Sequence, residues 1–429
     1  LAELRALLAD YTLDKATAIS GVPGEQIEAL LATIRRHGTV CIESGTGVGM
    51  SPGANLTVWM TWLIMVLTGS INVKGGMWVH PGSIFPFDQF VDHLPLLDSP
   101  LTRSSHVRPD VKGICGDWPC AVLPQEIDQG HMHALFNFGG HLFRSFPDLN
   151  ALKAALPKLD LLVSTEITHN ELSEYCTHIL PTKATVERNE FTRWDTLNWN
   201  VSLQYAPALV KSMGDRRSAW WAIAEFMRRA DLPVPNHVPH DPTDENDDFM
   251  QGVLLTHARC SWEELKEKRY VEFPLELPAA WVDRHFDRIG GWQLMPVDVV
   301  AQWEKFRAED EANLGKPWPL VYTSRRQRRK FNGQLDFLGE IADCLINPAT
   351  AAEHGIADGD KVRVSNASGE IVVTARVDPD IMPGVCSIPH GHFDANINNL
   401  TSTHDMDPLG GMAHYSAVPI AIERVDEPA

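Results

Sequence analysis

In GEQIEALLATIRRH, residues 24 to 37, the apolar positions Ile27, Leu30, Leu31 and Ile34 keep the three-and-four spacing of one helical face, and Gly38 supplies a stop. TVCIE, residues 39 to 43, then reads as a short strand. It runs into Gly45, Gly47 and Gly49, which remove every second side chain where a strand should end, so a ligand or another backbone can approach closely. The apolar run LTVWMTWLIMVL, residues 56 to 67, predicts a buried helix starting near Asn55 and completes a strand-turn-helix unit. A second unit opens with the strand ALFNF at 134–138, turns at Gly139 and Gly140, and passes through the helix PDLNALKAAL to the strand LDLLVSTE at 159–166. Strands alternating with helices predict an α/β fold: a parallel sheet covered on both faces, with ligands at the carboxyl ends of its strands.

Between about 232 and 315 prolines, tryptophans and acids accumulate, which predicts a long irregular connection. Asp244, Asn246 and Asp248 alternate there like a calcium loop. Phe249 and Leu255 stand where that loop requires glycine and glutamate, so calcium is set aside. After Trp318 the short alternating runs PLVYTS, DKVRVSN, GEIVVTARV and GVCSIPH, separated by Gly and Asn turns, predict a separate, mostly antiparallel barrel or sandwich.

Composition narrows the function classes. A chain of 429 residues suffices for roughly two to four domains. Lys and Arg number 37 against 56 Asp and Glu, a formal charge of −19, which repels long polyanions and argues against nucleic acid as a partner. A small anionic cofactor is compatible with it, because a few local donors override a distant surface charge. The seven cysteines, at 41, 115, 120, 176, 260, 344 and 386, show no repeated close spacing and read as reduced thiols of a cytoplasmic compartment. Cys115 and Cys120 form a C-x4-C pair that reads as free buried thiols rather than a metal site. The longest apolar run is shorter than the roughly 20 residues a membrane span requires, so no membrane insertion is expected. The chain begins at Leu1 without a basic-then-apolar leader, which leaves a removed signal, exported proteins included, or a longer parent chain.

Each candidate motif carries two readings. GTGVG is neither the GxGxxG fingerprint nor a P-loop, and reads as a close strand-to-helix turn or a phosphate contact. In NFGGHLFRS, Ser145 either caps the next helix or donates to a phosphate. SRRQRRK, residues 324 to 330, is a solvated basic face or a pyrophosphate site, since arginine binds phosphate oxygens in bidentate fashion. The histidines at 131, 133, 169, 178, 390 and 392 lack a full ligand set at zinc spacing. No GxSxG, HExxH or glycosidase-like pair of carboxylates is present.

Taken in order, these segments resemble the molybdopterin oxidoreductase family of formate dehydrogenases, nitrate reductases and dimethyl sulfoxide reductase. IESGTGVG followed by LTGSINVKGGMW is similar to its first glycine turn and following helix; ALFNFGGHLFRSFPD and LLVSTEITHNELSEYCTHILPTKATVERNEF are similar to its next binding segment. INPATAAEHGIADGDKVRVSNASGEIVVTARVDPDIMPGVCSIPHG resembles its C-terminal cap domain, and INNLTSTHDMDPLGGMAHYSAVPIAIE its closing segment. The resemblance implies parallel-sheet dinucleotide-binding domains followed by a mostly antiparallel β-barrel, divided as 1–80, 81–231, an irregular 232–315, and 316–429.

It further implies a bis(molybdopterin guanine dinucleotide) cofactor with molybdenum or tungsten. Gly45, Thr46 and Gly47 would line one guanine nucleotide, and Gly139, His141, Ser145, Glu166, Thr168 and Glu187 would lie near a dinucleotide, with Glu166 accepting from a ribose or guanine. Arg326 corresponds to the arginine after the cap domain's first strand, and Asn398 and Tyr415 to its closing loop. The family's iron-sulfur cysteines and metal-ligating residue belong to a part absent here, so the chain reads as the C-terminal portion of a longer protein. Where formate dehydrogenases carry an arginine, the sequence has Val79-His80-Pro81-Gly82; His80 is the one catalytic candidate, as a proton relay or a packed histidine. Thr177 replaces the usual aspartate before "LP", and ERNEF lacks the usual glycine. The implied activity is two-electron or oxygen-atom transfer on a small-molecule substrate, with electrons passed to a partner protein. The alternatives are a non-catalytic scaffold, such as the large iron-sulfur subunit of a respiratory NADH dehydrogenase, and a nicotinamide or thiamine-diphosphate enzyme built on the same glycine turns.

Overall fold

The computed structural model describes residues 1–94, 101–114, 117–236, 238, 239, 241, 245–313, 316, 317 and 319–425, with 101–103 described in backbone only. Cys115, Asp244 and Trp318 lie outside these residues. Helix α1 (Gly24–His37) forms where the spacing predicts it, yet none of its residues is buried; Leu30 and Leu31 are 61% and 45% exposed. The strand expected at TVCIE is absent. Its amides donate to side chains instead, Val40 N to Ser70 Oγ (2.9 Å) and Ile42 N to Met65 Sδ (3.4 Å), because no neighbouring strand among the described residues reaches it. Helix α2 (Ala54–Leu67) buries Leu56, Trp59, Leu63 and Met65 but leaves Ile64 and Leu67 exposed, so it is one-sided rather than buried all round. Trp59 packs edge-on against Trp303 and donates from Nε1 to the Leu294 carbonyl (2.9 Å).

The second unit folds as the alternation predicts. Strands β1 (Ala134–Phe138), β2 (Leu161–Glu166) and β3 (His178–Pro181) form a parallel sheet with β2 central, in register from Ala134↔Leu161 to Phe138↔Thr165 and from Val163↔His178 to Glu166↔Pro181. Helix α3 (Leu149–Ala155), capped by Asp148 accepting from the Ala151 amide (3.0 Å), covers one face, where Leu149 and Leu152 share a core with Leu162. On the other face Phe136 meets Phe226 of α4 (Ala219–Arg229), ring centroids 4.3 Å apart. A strand buried on both sides needs apolar residues throughout, which explains the unbroken LLV of β2.

Among the described residues, the stretch expected to be irregular holds four helices: α5 (Asp247–Leu254), α6 (Trp262–Lys268), α7 (Ala280–Ile289) and α8 (Val297–Asn313). Its tryptophans are core anchors, Trp262 packing with Phe191 and Leu203, and Trp303 with Leu56 and Leu63. Its polar residues cap and pair: Asn246 accepts from the Phe249 amide at the start of α5, and Asp248 pairs with Lys266 (3.0 Å).

The C-terminal sheet comprises β4 (Val321–Arg325), β5 (Asp343–Ile346), β6 (Lys361–Asn366), β7 (Gly369–Val377), β8 (Val385–Pro389), β9 (Ser416–Pro419) and β10 (Ala421–Arg424), ordered β9-β4-β8-β5-β7-β6-β10. The β4/β8 and β5/β7 pairings are parallel and the other four antiparallel, a mostly antiparallel sheet that curls into a half-barrel whose edge strands β9 and β10 stay apart. Tyr322, Ile346, Val362, Val364 and Ile388, all fully buried, form its core. Among the described residues no helix is long and apolar enough to cross a membrane.

One buried carboxylate ties the parts together. Asp407, 3% exposed, accepts two hydrogen bonds from Asn55 Nδ2 at the start of α2 (2.7 and 2.8 Å), one from Gln302 Nε2 in α8 (3.2 Å) and one from the Leu409 amide (2.9 Å). Alanine at 407 would leave these donors unmatched, at about 1.5–3 kcal/mol for a bond to a charged group and more for several together. Asp407→Ala is therefore expected to lower Tm by roughly 2–4 °C in a thermal melt, and Asp407→Asn, which keeps one acceptor, by less.

Candidate functional site

A cleft of about 990 Å³ opens at the carboxyl ends of β1, β2 and β3 and is closed on its far side by residues 333–337, from the connection that leaves β4 of the half-barrel. Gly139 and Gly140 turn the chain out of β1 with φ of 74° and 81°, and an added Cβ at either would meet nothing within 4 Å. The conformation requires glycine, and the open space beside it belongs to the cleft. Asn137 Nδ2 donates to the Gly140 carbonyl (3.1 Å) and to Ser164 Oγ (2.8 Å), and Ser164 Oγ donates to Glu166 Oε1 (2.6 Å). This relay aims a carboxylate at the end of the central strand and leaves its second oxygen to accept.

The cations of the cleft are already paired. Arg144, its side chain 9% exposed, binds Glu171 and Asp336; Lys183 binds Glu245 and Asp247 (2.7 Å each); Arg188 binds Glu190. Burial opposes the charge on Glu171, but the hydrogen bond from Arg144 prevails and holds its carboxyl below the ordinary value. Lys183 behaves alike: burial disfavours its charge, and the bonds to Asp247 and Glu245 nonetheless raise its pKa. The wall is thus polar, with each of these cations matched by at least one carboxylate, a surface for a ligand held by directional hydrogen bonds more than by a free cation. Two buried polar atoms in it, His141 Nδ1 and Arg144 Nε, have no partner in the protein.

Of the residues chosen from sequence, Gly139, His141, Glu166 and Thr168 line this cleft together. Ser145 does not; its hydroxyl donates back to the His141 carbonyl (2.9 Å), and the next helix is capped by Asp148 instead. Glu187 is buried behind the wall, where the Ala184 amide (2.8 Å) and Arg216 (2.7 Å) hold its carboxyl below the usual range and fix the turn that presents Thr185 to the cleft. Arg326 is exposed just after β4 and outside the cleft, while its neighbour Arg325 pairs with Asp343 in the half-barrel. Arg326 and the first glycine turn therefore share no cleft with the second turn, which faces residues 333–337 instead.

Gly45, Thr46 and Gly47 sit at the exposed start of a single helical turn, Thr46–Gly49, with open space beside both glycines, apart from the cleft. Tyr415 links the two places: its amide donates to the Met50 carbonyl (2.9 Å) and its hydroxyl to the Ser145 carbonyl (2.8 Å). Asn398 is buried with its backbone amide bonded to Asn396 Oδ1 (3.0 Å) and its own Nδ2 without a partner. His80 lies elsewhere. Its Nδ1 accepts from the Gly82 amide (2.9 Å), its Nε2 stands 3.5 Å from the Asn200 carbonyl, and burial lowers its pKa, so the ring is a neutral support of the Pro81-Gly82 turn. Arg144, Glu171, Lys183 and Asp336 were not singled out from sequence; the Asn332-Gly333 turn signal preceding Asp336 is the one trace that pointed there.

Residues 42–229 match the sequence model of the molybdopterin oxidoreductase family, and residues 320–419 match that of the "Molydopterin dinucleotide binding domain". The chain belongs to the molybdopterin oxidoreductase family. Among relatives, the Escherichia coli protein named "Probable dimethyl sulfoxide reductase chain YnfF" is 23% identical over 95% of this chain and 58% of its own. The alpha subunit of F420-dependent formate dehydrogenase 2 from Methanococcus maripaludis is 22% identical over 99% of this chain and 64% of its own. The chain thus spans little more than half the length of these molybdopterin oxidoreductase relatives. Acetylene hydratase from Pelobacter acetylenicus superposes with a TM-score of 0.72 at 16% identity, covering 99% of this chain and 66% of that one, which shows the shared fold.

The residues present fit the dinucleotide part of the family's cofactor. Glycines open onto space at a strand end, a carboxylate has an acceptor to spare, and buried polar atoms lack partners at His141 and Asn398. Among the described residues no three of His, Cys, Asp or Glu gather to hold a metal ion, so the fit concerns the nucleotide and pterin tail alone.

Proposed function

We propose that the chain is the dinucleotide-holding portion of a bis(molybdopterin guanine dinucleotide) oxidoreductase that carries out two-electron or oxygen-atom transfer on a small molecule and exchanges electrons with a partner protein. One observation carries the reading: the cleft lies where an α/β sheet presents ligands, its opposite wall comes from the half-barrel, and the two halves match the family's two domain types in order. When bound, the cofactor supplies the metal that takes up or yields the electrons. The protein's own part is positional. Glu166 accepts from a ribose or base, the 139–140 turn admits the sugar-phosphate chain, and Asn398 and Tyr415 hold the closing segment against it. The partner is supported by the relatives' names, a reductase "chain" and a dehydrogenase "subunit". These names speak for an enzyme over a non-catalytic scaffold. Free cysteines at six described positions support a reducing, cytoplasmic compartment.

The test is chemical analysis of the protein purified from its own source. Acid hydrolysis is expected to release pterin fluorescence together with GMP, and elemental analysis to find molybdenum or tungsten, with about two GMP per metal atom. A folded protein that yields neither pterin nor GMP would overturn the assignment in favour of a scaffold.

A further inference from the structure

The connection from β4 to β5 crosses to the sheet domain and closes the cleft, yet little apolar contact holds it there. Phe331 is 56% exposed, Leu335 38% and Phe337 82%. What fastens it is one arginine. Arg144 donates from Nη1 to the Gly333 carbonyl (2.8 Å) and to Asp336, and from Nη2 to Glu171 on the sheet side. Lys330, almost wholly buried, takes the other oxygen of Asp336. The backbone has been cleared for this approach: a Cβ on Gly333 would come within 2.9 Å of Arg144 Cδ, and one on Gly391 within 2.2 Å of the Asn332 carbonyl oxygen.

We propose that Arg144 is a positioning residue that latches residues 331–337 across the cleft and thereby sets how fast the nucleotide held there is released. The inference rests on the function proposed above for the identity of the nucleotide, and on geometry alone for the latch. A segment held by a few polar bonds without apolar burial opens at a low free-energy cost, and that cost is then governed by those bonds. A planar fork with five donors can hold two carboxylates and a carbonyl at once, which a lysine cannot. Charge-assisted bonds of this kind are worth enough that losing them shifts an opening equilibrium by roughly 10- to 100-fold.

Two readouts test it on the intact protein. Arg144→Met is expected to speed hydrogen exchange of the amides of 331–337 about tenfold or more while β1, β2 and β3 stay protected, and to speed loss of pterin nucleotide into the filtrate after dilution by a similar factor. Arg144→Lys should recover part of both. Gly333→Ala, which crowds the latch without removing a charge, should act in the same direction and stands in if Arg144→Met fails to fold. Unchanged exchange across 331–337 in both variants overturns the latch. Faster exchange with unchanged release overturns its control of the nucleotide. A wild-type protein that yields no pterin nucleotide even on acid hydrolysis sinks the assigned function instead, and exchange alone still decides the latch.

Discussion

A Lys183→Met protein is expected to lose about 3–5 kcal/mol of stability, the range for removing one member of a buried ion pair. The Lys183 side chain is 13% exposed and stands 2.7 Å from both Glu245 and Asp247, themselves 12% and 17% exposed. Asp247 also accepts from Trp220 Nε1 (2.8 Å) and from Ser218 Oγ, so it cannot turn away to water without breaking further bonds. Removing the ammonium leaves two carboxylates close together and poorly hydrated; most of the cost is theirs, not the lost attraction. The control follows from that distinction. Combining Lys183→Met with Glu245→Gln and Asp247→Asn should recover most of the loss in urea denaturation, because neutral amides need no counter-charge. A single-variant loss below about 1 kcal/mol would mean that the group behaves as an ordinary surface pair. Because Lys183 lines the cleft, the same variant should also loosen the turn that carries Thr185.

The elements whose partners are local in sequence were the legible ones. β1, the Gly139-Gly140 turn, α3 and β2 follow one another, and their alternation of apolar and turn residues carries the geometry directly. The half-barrel was legible from the alternation within each strand, although most of its pairings are remote, β4 with β8 and β9 among them. Elsewhere the pattern misleads: TVCIE alternates like a strand but meets no strand among the described residues, and the apolar stripe of α1 is half-buried at Ile27 and Ile34 but exposed at Leu30 and Leu31. The helices between 247 and 313 were hidden because prolines and polar residues look like loop, although Asn246 serves as a cap, Asp248 as an ion-pair partner and the tryptophans as anchors. The site divides likewise. Gly139, His141, Glu166 and Thr168 were found because strand ends advertise themselves, whereas Arg144 and Asp336 acquire their meaning only from a contact across 192 positions of chain. His80 reads from sequence as a proton relay or a packed histidine, and its Nδ1 accepts from the Gly82 amide at the Pro81-Gly82 turn. Nor does the fold fix the reaction, since a hydratase shares it.

Glu166 is where the nucleotide reading meets its sharpest test. It ends the strand that follows the glycine turn, the place where mononucleotide-binding sheets put the acid that accepts from the ribose hydroxyls. Ser164 occupies Oε1, so Oε2 is the oxygen left for a ligand. Glu166→Ala is accordingly expected to weaken GDP binding to the cofactor-free protein by roughly 100-fold, and Glu166→Gln, which keeps an acceptor but no charge, by roughly tenfold. If the ribose is the partner, ADP should lose affinity in parallel, and 2′,3′-dideoxy-GDP should bind wild type and Glu166→Ala alike. If only GDP suffers, the carboxylate reads the two donors on the guanine edge, which adenine lacks. Titration calorimetry with the three nucleotides separates these results. Equal GDP affinity in wild type and both variants would remove Glu166 from the site, and with it the strongest reason to place a nucleotide in this cleft.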